Sequence, residues 1–574
     1  MRHGFVKVAA ATPDIRVADV AYNQEQICRL IDETASEGAK IVVFPELALT
    51  GYTCGDLFTQ DVLLAQARKA ICQVAAATEE KDALIFVGMP LAVEGELYNV
   101  AAALNRGKIL GFTTKTFLPN YGEFYEMRQF REGPEEVRCI CFEGEKILFG
   151  PRILFEADVM PDLIVSAEIC EDVWSPVPPS IQAAREGATV IVNCSASDET
   201  IGKAAYRKSL IEGQSARLMA AYIYANAGEG ESTTDLVFGG HNIISENGTT
   251  LAEGERFKNG VVYAQIDVKR LISERRKNTT FKAARERHLA RVPFRLELTE
   301  TKLTRKFPSR PFVPDAKEER DRRCEEILTI QAMGLKKRLA HTHARSAVVG
   351  ISGGLDSTLA ILVTARAFDM LGMDRSQIIA VTMPCFGTTD RTYNNACQMA
   401  LKLGAQLREV RIADSVESHF RDIGHDIEDH SVTYENSQAR ERTQVLMDIS
   451  NHRRTCGRYR GHVGAGSRVG HLQRGSHVHV RGQRLRAQDA CAPSGAVLCG
   501  HRKGPGDERR ALRCAGHTGE PGAPSAEGRP DRPEDGGSGG TLRAPRLLSV
   551  LFPPLWLRAF QDLPDRQGGF CGRV

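Results

Sequence analysis

Between Val6 and about Asp267, short uninterrupted apolar runs alternate with longer segments whose apolar residues recur at helical spacing. This alternation confines the chain to an α/β fold with strands buried on both faces. Lys40 to Phe44, Ala83 to Gly88, Leu163 to Ile169 and Ala188 to Asn193 read as strands, and Tyr22 to Glu37 and Val62 to Ala77 as helices. The pattern returns later, where a helical stretch from Ala316 to Ala340 leads into a strand, Ser346 to Ile351, a Gly-rich loop, and a helix starting near Ser357. Between the two lies a charged, proline-punctuated stretch, Arg275 to Asp315, poor in apolar residues. A chain of 574 residues exceeds what one core serves. The expected organisation is a first domain at 1–285, a linker at 286–315, a second domain at 316–455 and a tail at 456–574.

A net charge of +3 offers no basic surface for nucleic acid. The 15 cysteines lack metal-ligand spacing, and the N-terminus lacks the layout of a secretory leader, so a reducing cytoplasm is expected. With no apolar stretch approaching about 18 residues, no membrane span is expected. Small-molecule chemistry is the default.

Three reactive groups stand where strands end. Ile41 to Phe44 runs into Pro45 and Glu46, Leu163 to Ile169 runs into Cys170, and Lys115 lies in a polar stretch before Pro119. A thiol near its ordinary pKa is mostly protonated, so a nucleophilic cysteine needs a base for its proton and a cation for the developing anion. Glu46 and Lys115 could supply them. Taken singly, the three also fit a buried cysteine and two surface charges.

The segments FPELALTGY (44–52), KTFLPNYGEFYE (115–126) and AEICEDVW (167–174) resemble the nitrilase superfamily, and within it the glutaminase domain of glutamine-dependent NAD⁺ synthetases. The resemblance implies that Cys170 attacks the side-chain amide of glutamine, with Glu46 as general base and then acid and Lys115 stabilising the oxyanion. Residues 195–217 are similar to the family's substrate-side loop, which implies Tyr121, Ser197 and Lys203 as glutamine contacts. Similar strand ends occur in free nitrilases and carbamoylases, so this half alone does not decide the activity.

In SAVVGISGGLDSTLAILV (346–363) an apolar strand ends in small residues and a helix follows, letting backbone N–H groups approach an anion at the helix start. The Gly-Lys-Ser/Thr ending of a Walker A loop is missing. SGGLDS instead resembles the pyrophosphate (PP) loop of ATP pyrophosphatases. That likeness implies ATP binding by Gly350, Ile351, Ser352, Gly353, Gly354, Leu355, Asp356 and Ser357, with Asp356 also holding Mg²⁺. Segments 383–396, 420–426 and 434–451 look like NAD⁺ synthetase, and Asn436 would contact deamido-NAD⁺ or equally cap a helix. The implied fold is a nitrilase-like αββα sandwich followed by a Rossmann-like adenine nucleotide alpha hydrolase domain. The implied reaction adenylates deamido-NAD⁺ with ATP and displaces AMP with ammonia from glutamine. By the same likeness the protein is a homo-oligomer.

From about residue 456, Arg and Gly make up about a third of the chain and Ile, Asn and Met are absent, a composition that reads as disorder. A basic arm for nucleic acid is the weaker reading of it. Gly470 to Arg481 can be encoded so that reading from the second nucleotide of each codon gives VTYNGDHMSMYG, similar to a family segment missing in frame. Gly540 to Pro564 yields family-like sequence in the same frame. A frameshift between Asn451 and Gly457 is therefore expected; beside the leading reading of a bifunctional ligase, a shift carried into the protein adds two alternatives, a glutaminase with an inactive second half or a partly folded product without activity. Sequencing the coding DNA across codons 445 to 460 checks it; a continuous family-like reading in the shifted frame is the expected result.

Overall fold

The computed structural model describes the chain except for residues 2, 234, 285–287, 308–310, 387–389, 452–461, 466–495 and 499–574; two short strands, His462–Ala465 and Ala496–Leu498, lie between the last three stretches. Apart from these two strands, the stretch expected to be a disordered, out-of-frame tail lies outside the described residues. Two compact units are present, Met1–Lys306 and the chain from Phe307 on. Among the described residues no helix is long and apolar enough to cross a membrane.

The first unit holds an eight-stranded and a seven-stranded sheet. In the first, Phe5–Thr12 pairs in parallel with Ile41–Val43, which pairs in parallel with Leu84–Val93. In the second, Ile164–Ile169, Val190–Ser195 and Ala221–Asn226 are parallel neighbours. Alternation along these strands decides the layers. Val6, Val8, Ile41 and Val43 of the first sheet meet Val165, Ala167, Val190 and Val192 of the second in one buried core. The opposite face of the first sheet is covered by Val20–Ser36 and Asp61–Ala77, and that of the second by Pro179–Arg185 and Lys203–Leu218. The result is an αββα sandwich, as expected from the nitrilase likeness.

The stretch expected to be a linker from residue 286 behaves differently. Arg291–Phe294 forms an edge strand parallel to Leu154–Ala157, and Phe294 and Leu296 are buried in the core between the sheets. Arg305 pairs with the buried Glu246 at 2.8 Å. Val292, Phe294 and Leu296 alternate within a charged run, and an edge strand needs no more apolar content than that. The first unit accordingly extends to Lys306.

In the second unit Gln406–Glu409, Ile378–Thr382, Ser346–Ile351 and His462–Ala465 run parallel in that order, with Ala496–Leu498 antiparallel at the edge. Ala347, Val349 and Ile351 pack under the helices Lys317–Thr342 and Leu355–Leu371, whereas Val348 faces Val416, Phe420 and Leu446 from the helices Ala413–Ile423 and Val432–Asn451. Helices on both faces of a parallel sheet make the Rossmann-like arrangement the sequence implied.

One close approach fixes the first unit's reactive turn. A Cβ on Gly88 would lie 2.4 Å from both Pro45 O and Leu47 N and 2.7 Å from Glu46 Cα. The backbone around Glu46 thus lies flat on the Leu84–Val93 strand, where only hydrogen fits. Gly88→Ala is expected to destabilise the first unit by about 1–3 kcal/mol through overpacking, measured as a lower midpoint in thermal unfolding.

Candidate active site

Glu46, Lys115 and Cys170 follow three strand ends, Ile41–Val43, Lys108–Thr114 and Ile164–Ile169, and all three are almost fully buried. Lys115 Nζ donates to Glu46 Oε1 at 2.6 Å. The same oxygen accepts from Asn99 Nδ2 at 2.6 Å, and Glu46 Oε2 accepts the Ala196 N–H at 3.0 Å. Every contact of this carboxylate is therefore a fixed donor.

A fourth group joins them. Lys115 Nζ also donates to Glu126 Oε1 at 2.6 Å, and that oxygen accepts the Tyr52 hydroxyl at 2.8 Å. Glu126 Oε2 is buried without a hydrogen-bond partner among the described residues. Burial pushes the Glu126 carboxyl up to about 7, with Lys115 opposing and Glu46 reinforcing. Burial by itself would lower the Lys115 pKa, but the carboxylates of Glu126 and Glu46 outweigh it and hold the ammonium well above its ordinary value. Glu126 ends the KTFLPNYGEFYE segment, and its loop has no periodicity from which the contact could be read.

Cys170 opens the turn Cys170–Val173 with φ of +41°, a left-handed conformation unusual for a side chain of its kind. Its N–H donates to Asn193 Oδ1 at 3.0 Å. Asp172 accepts the N–H groups of Thr116, Phe117 and Ile169 at 2.9 to 3.0 Å, tying the segment after Lys115 to the residue before Cys170. Burial pushes the Cys170 thiol well up, the Glu46 carboxylate pushes it further, and Lys115 opposes. The thiol is thus protonated at rest and needs a base.

A cavity of about 430 Å³ opens onto Cys170 and is lined by Tyr121, Ser197 and Lys203 together with Glu171, Phe124 and Trp174. All three sequence-designated glutamine contacts are therefore brought to the nucleophile. The Tyr121 hydroxyl donates to Glu171 at 2.8 Å. Lys203 pairs with Asp198 and sits 5.4 Å from the Phe124 ring centroid and 5.7 Å from that of Trp174. Ser197 Oγ accepts from the fully buried Arg207 at 3.2 Å. The cavity thus combines carboxylate, ammonium and hydroxyl groups with aromatic rings, and the Lys203 ammonium lies close to two of those rings.

In the second unit Gly350 and Ile351 end the strand, Ser352, Gly353 and Gly354 turn, and Leu355, Asp356 and Ser357 begin the helix. Gly353 has φ of +75°. Ser352 N–H donates to Ser357 Oγ at 3.2 Å and Gly354 N–H to Ser352 Oγ at 3.4 Å, long bonds that an incoming anion could replace. Asp356 is exposed. The helix carrying Asn436 packs on this strand, where a Cβ on Gly350 would meet Leu446 at 2.9 Å. Asn436 itself is half-buried, and no hydrogen bond joins it to the loop among the described residues.

A carbon-nitrogen hydrolase family model matches residues 7–276, and an NAD synthase model matches residues 327–456. A glutamine-dependent NAD(+) synthetase of Mycobacterium leprae is 41% identical over 462 residues, covering 78% of this chain and 68% of that protein. Its counterpart in Mycobacterium bovis is 40% identical over 466 residues, 79% of this chain and 69% of the relative. One from Aquifex aeolicus is 31% identical over 449 residues, 78% of this chain and 73% of the relative.

Removing the Lys115 ammonium would leave Glu46 and Glu126 facing each other in a dry interior. Lys115→Ala is expected to cost about 3–5 kcal/mol of stability. Unfolded Glu126 loses its proton near the ordinary 4.5, while the buried carboxyl, without Lys115 to oppose burial, would hold it to higher pH. The folded state then binds more protons than the unfolded one, so stability falls as pH rises. Thermal unfolding at pH 5 and pH 8 checks this, with the larger deficit expected at pH 8.

Proposed function

This chain belongs to the glutamine-dependent NAD(+) synthetases, and we propose that its two units divide that reaction between an amidase site built on Cys170 and a nucleotide site built on the 350–357 loop. The activity is glutamine-hydrolysing NAD⁺ synthesis, a carbon–nitrogen ligation with ATP as substrate. The observation that carries the division is the buried contact of Lys115 with Glu46 beside a cavity that opens on Cys170.

In the first half, glutamine enters the cavity with its carboxamide at Cys170 and its charged end among Tyr121, Ser197 and Lys203. Cys170 Sγ bonds to the amide carbon as its proton passes to Glu46. The carbonyl oxygen becomes an oxyanion, which Lys115 stabilises. The C–N bond breaks, Glu46 returns the proton to the leaving nitrogen, and ammonia departs. Water, deprotonated by Glu46, then cleaves the thioester to glutamate and regenerates the thiol. A thiol pushed up by burial cannot begin this sequence without a base in reach, and Glu46 is the carboxylate acting on it most strongly.

In the second half, the N–H groups and hydroxyls of Ser352, Gly353, Gly354 and Ser357 receive the phosphates of ATP at the start of the Leu355–Leu371 helix. The nicotinate carboxylate of deamido-NAD⁺ attacks the α-phosphorus and releases pyrophosphate. Ammonia then adds to the acyl-adenylate, and AMP leaves. A carboxylate is a poor electrophile, and adenylation gives it a leaving group. Asn436 is assigned to deamido-NAD⁺. No cluster of three metal-ligating side chains occurs among the described residues. A lone exposed carboxylate, Asp356, beside two serine hydroxyls suits Mg²⁺, which takes few protein ligands and completes its shell with phosphates and water. Bound there, Mg²⁺ would neutralise charge on pyrophosphate. The same reading gives a cytoplasmic homo-oligomer that binds neither nucleic acid nor membrane.

The test uses the full chain with ATP, deamido-NAD⁺ and either glutamine or ammonium. Both nitrogen sources are expected to yield NAD⁺. Cys170→Ala should lower glutamine-driven synthesis and glutamate release by on the order of 10⁴-fold or more while ammonium-driven synthesis continues. Glutamate release without NAD⁺ from either source would overturn the ligase reading and leave an amidase.

A further inference from the structure

The helix-covered face of the second sheet carries a polar chain that the chemistry above does not use. Glu168, Asn193 and Tyr222, each at most 1% exposed, lie on the neighbouring strands Ile164–Ile169, Val190–Ser195 and Ala221–Asn226. The parallel register sets Asn193 beside Glu168. Asn193 Oδ1 accepts the Cys170 N–H at 3.0 Å, and Asn193 Nδ2 lies 3.1 Å from the Tyr222 hydroxyl. The Tyr222 hydroxyl in turn bonds to Glu168 Oε1, and Glu168 Oε2 accepts the Ser180 N–H at 2.9 Å.

The direction of every bond follows from one fact. The Cys170 N–H can only donate, so Asn193 must turn its oxygen to it and its nitrogen to Tyr222. Tyr222 must then accept from Asn193 and give its single proton to Glu168. Any other arrangement sets two donors or two acceptors against each other in a site without water, which costs more than the bonds gain. The carboxylate of Glu168 therefore fixes the orientation of an amide two residues away along the chain of bonds.

What that amide holds is the nucleophile's backbone. A left-handed conformation at a residue with a Cβ costs about 1–2 kcal/mol, and Cys170 adopts it with φ of +41°. Ile169, just before it, is gripped by Asp172, and the Asn193 bond restrains the Cys170 backbone itself, while Ser195 contacts its side chain.

We propose that Glu168, Tyr222 and Asn193 form a positioning relay that keeps Cys170 in its left-handed conformation and thereby aims its thiol at the amide carbon. The inference rests on the reading of Cys170 as nucleophile. Tyr222→Phe would leave Asn193 Nδ2 and Glu168 Oε1 without partners. Asn193→Asp would set a second carboxylate against the one proton of Tyr222. Glu168→Gln, equal in size, could satisfy Tyr222 only by turning its NH₂ toward the Ser180 N–H.

The experiment measures glutamate release from glutamine by the full chain, with active sites counted by covalent labelling of Cys170 with a diazoketone analogue of glutamine. Each of the three variants is expected to lower kcat per labelled site by about tenfold to a hundredfold, as misplacement of a reacting group does. KM should stay within about twofold, because the cavity contacts are untouched. A purely structural role would instead reduce the labelled fraction and the melting temperature while kcat per labelled site stayed at the wild-type value, and that result overturns the relay. Should Tyr222→Phe fail to fold, Glu168→Gln decides by the same readout. A wild-type chain that neither releases glutamate nor labels at Cys170 would overturn the nucleophile reading and the relay with it, whereas an active wild type with unchanged variants overturns the relay alone.

Discussion

The first unit is organised around one buried ammonium. Lys115 Nζ bridges Glu46 and Glu126 at 2.6 Å each, with all three side chains almost wholly removed from water. Two carboxylates and one ammonium carry a net negative charge if all are ionised, and in a low-dielectric interior such a charge is costly. The raised pKa of Glu126 is the response, because a proton held to about pH 7 brings the triad close to neutrality. The lysine lowers the cost of burying the carboxylates, and they in turn hold it charged in a dry interior.

The ammonium can occupy that position only because backbone is brought close from several directions. Gly88 lets the turn around Glu46 lie against the Leu84–Val93 strand. Asp172 takes N–H groups from residues on both sides of the site, so the lysine segment and the cysteine turn share one anchor. Ala196 closes the remaining oxygen of Glu46 from the second sheet. The two sheets are held together by apolar packing, but their registration at this end is set by these polar contacts, which tolerate little displacement.

Much of this could be read from the residues, and the gaps have physical causes. The sequence bounds of Ser346 to Ile351 coincide with the strand, and those of the strands leading to Glu46 and Cys170 agree within a residue or so, because buried parallel strands are short apolar runs with clear ends. The apolar run from Ala83 ends at Gly88 in the sequence pattern, yet the strand continues to Val93 through Pro90. Past Phe86 that strand has a ladder partner on one side, Glu96–Asn105, so a proline's missing N–H is tolerated there. Glu126 and Asn193 are not legible in the sequence for another reason. Each acts through a contact between distant elements, and neither loop position nor strand alternation distinguishes a carboxylate or amide that meets a reactive group from one that meets solvent. The edge strand Arg291–Phe294 was hidden by the charge around it.

The two sites solve opposite electrostatic problems, and their burial differs accordingly. Amide hydrolysis shuttles a proton among groups the protein itself supplies, so their relative affinities must be fixed before substrate arrives. That demands burial, and with it the triad and the strained Cys170. Phosphate chemistry has its charge delivered by the substrate. A loop that receives it needs donors whose existing bonds are weak enough to exchange, and the 3.2 and 3.4 Å contacts within Ser352–Ser357 meet that condition in a way the 2.6 Å contacts of Lys115 do not. The exposure of Asp356 is consistent with the Mg²⁺ role proposed for it, since a carboxylate that meets a hydrated cation gains nothing from being dried in advance. Preorganisation is therefore concentrated where the protein owns the charges and relaxed where the ligand brings them.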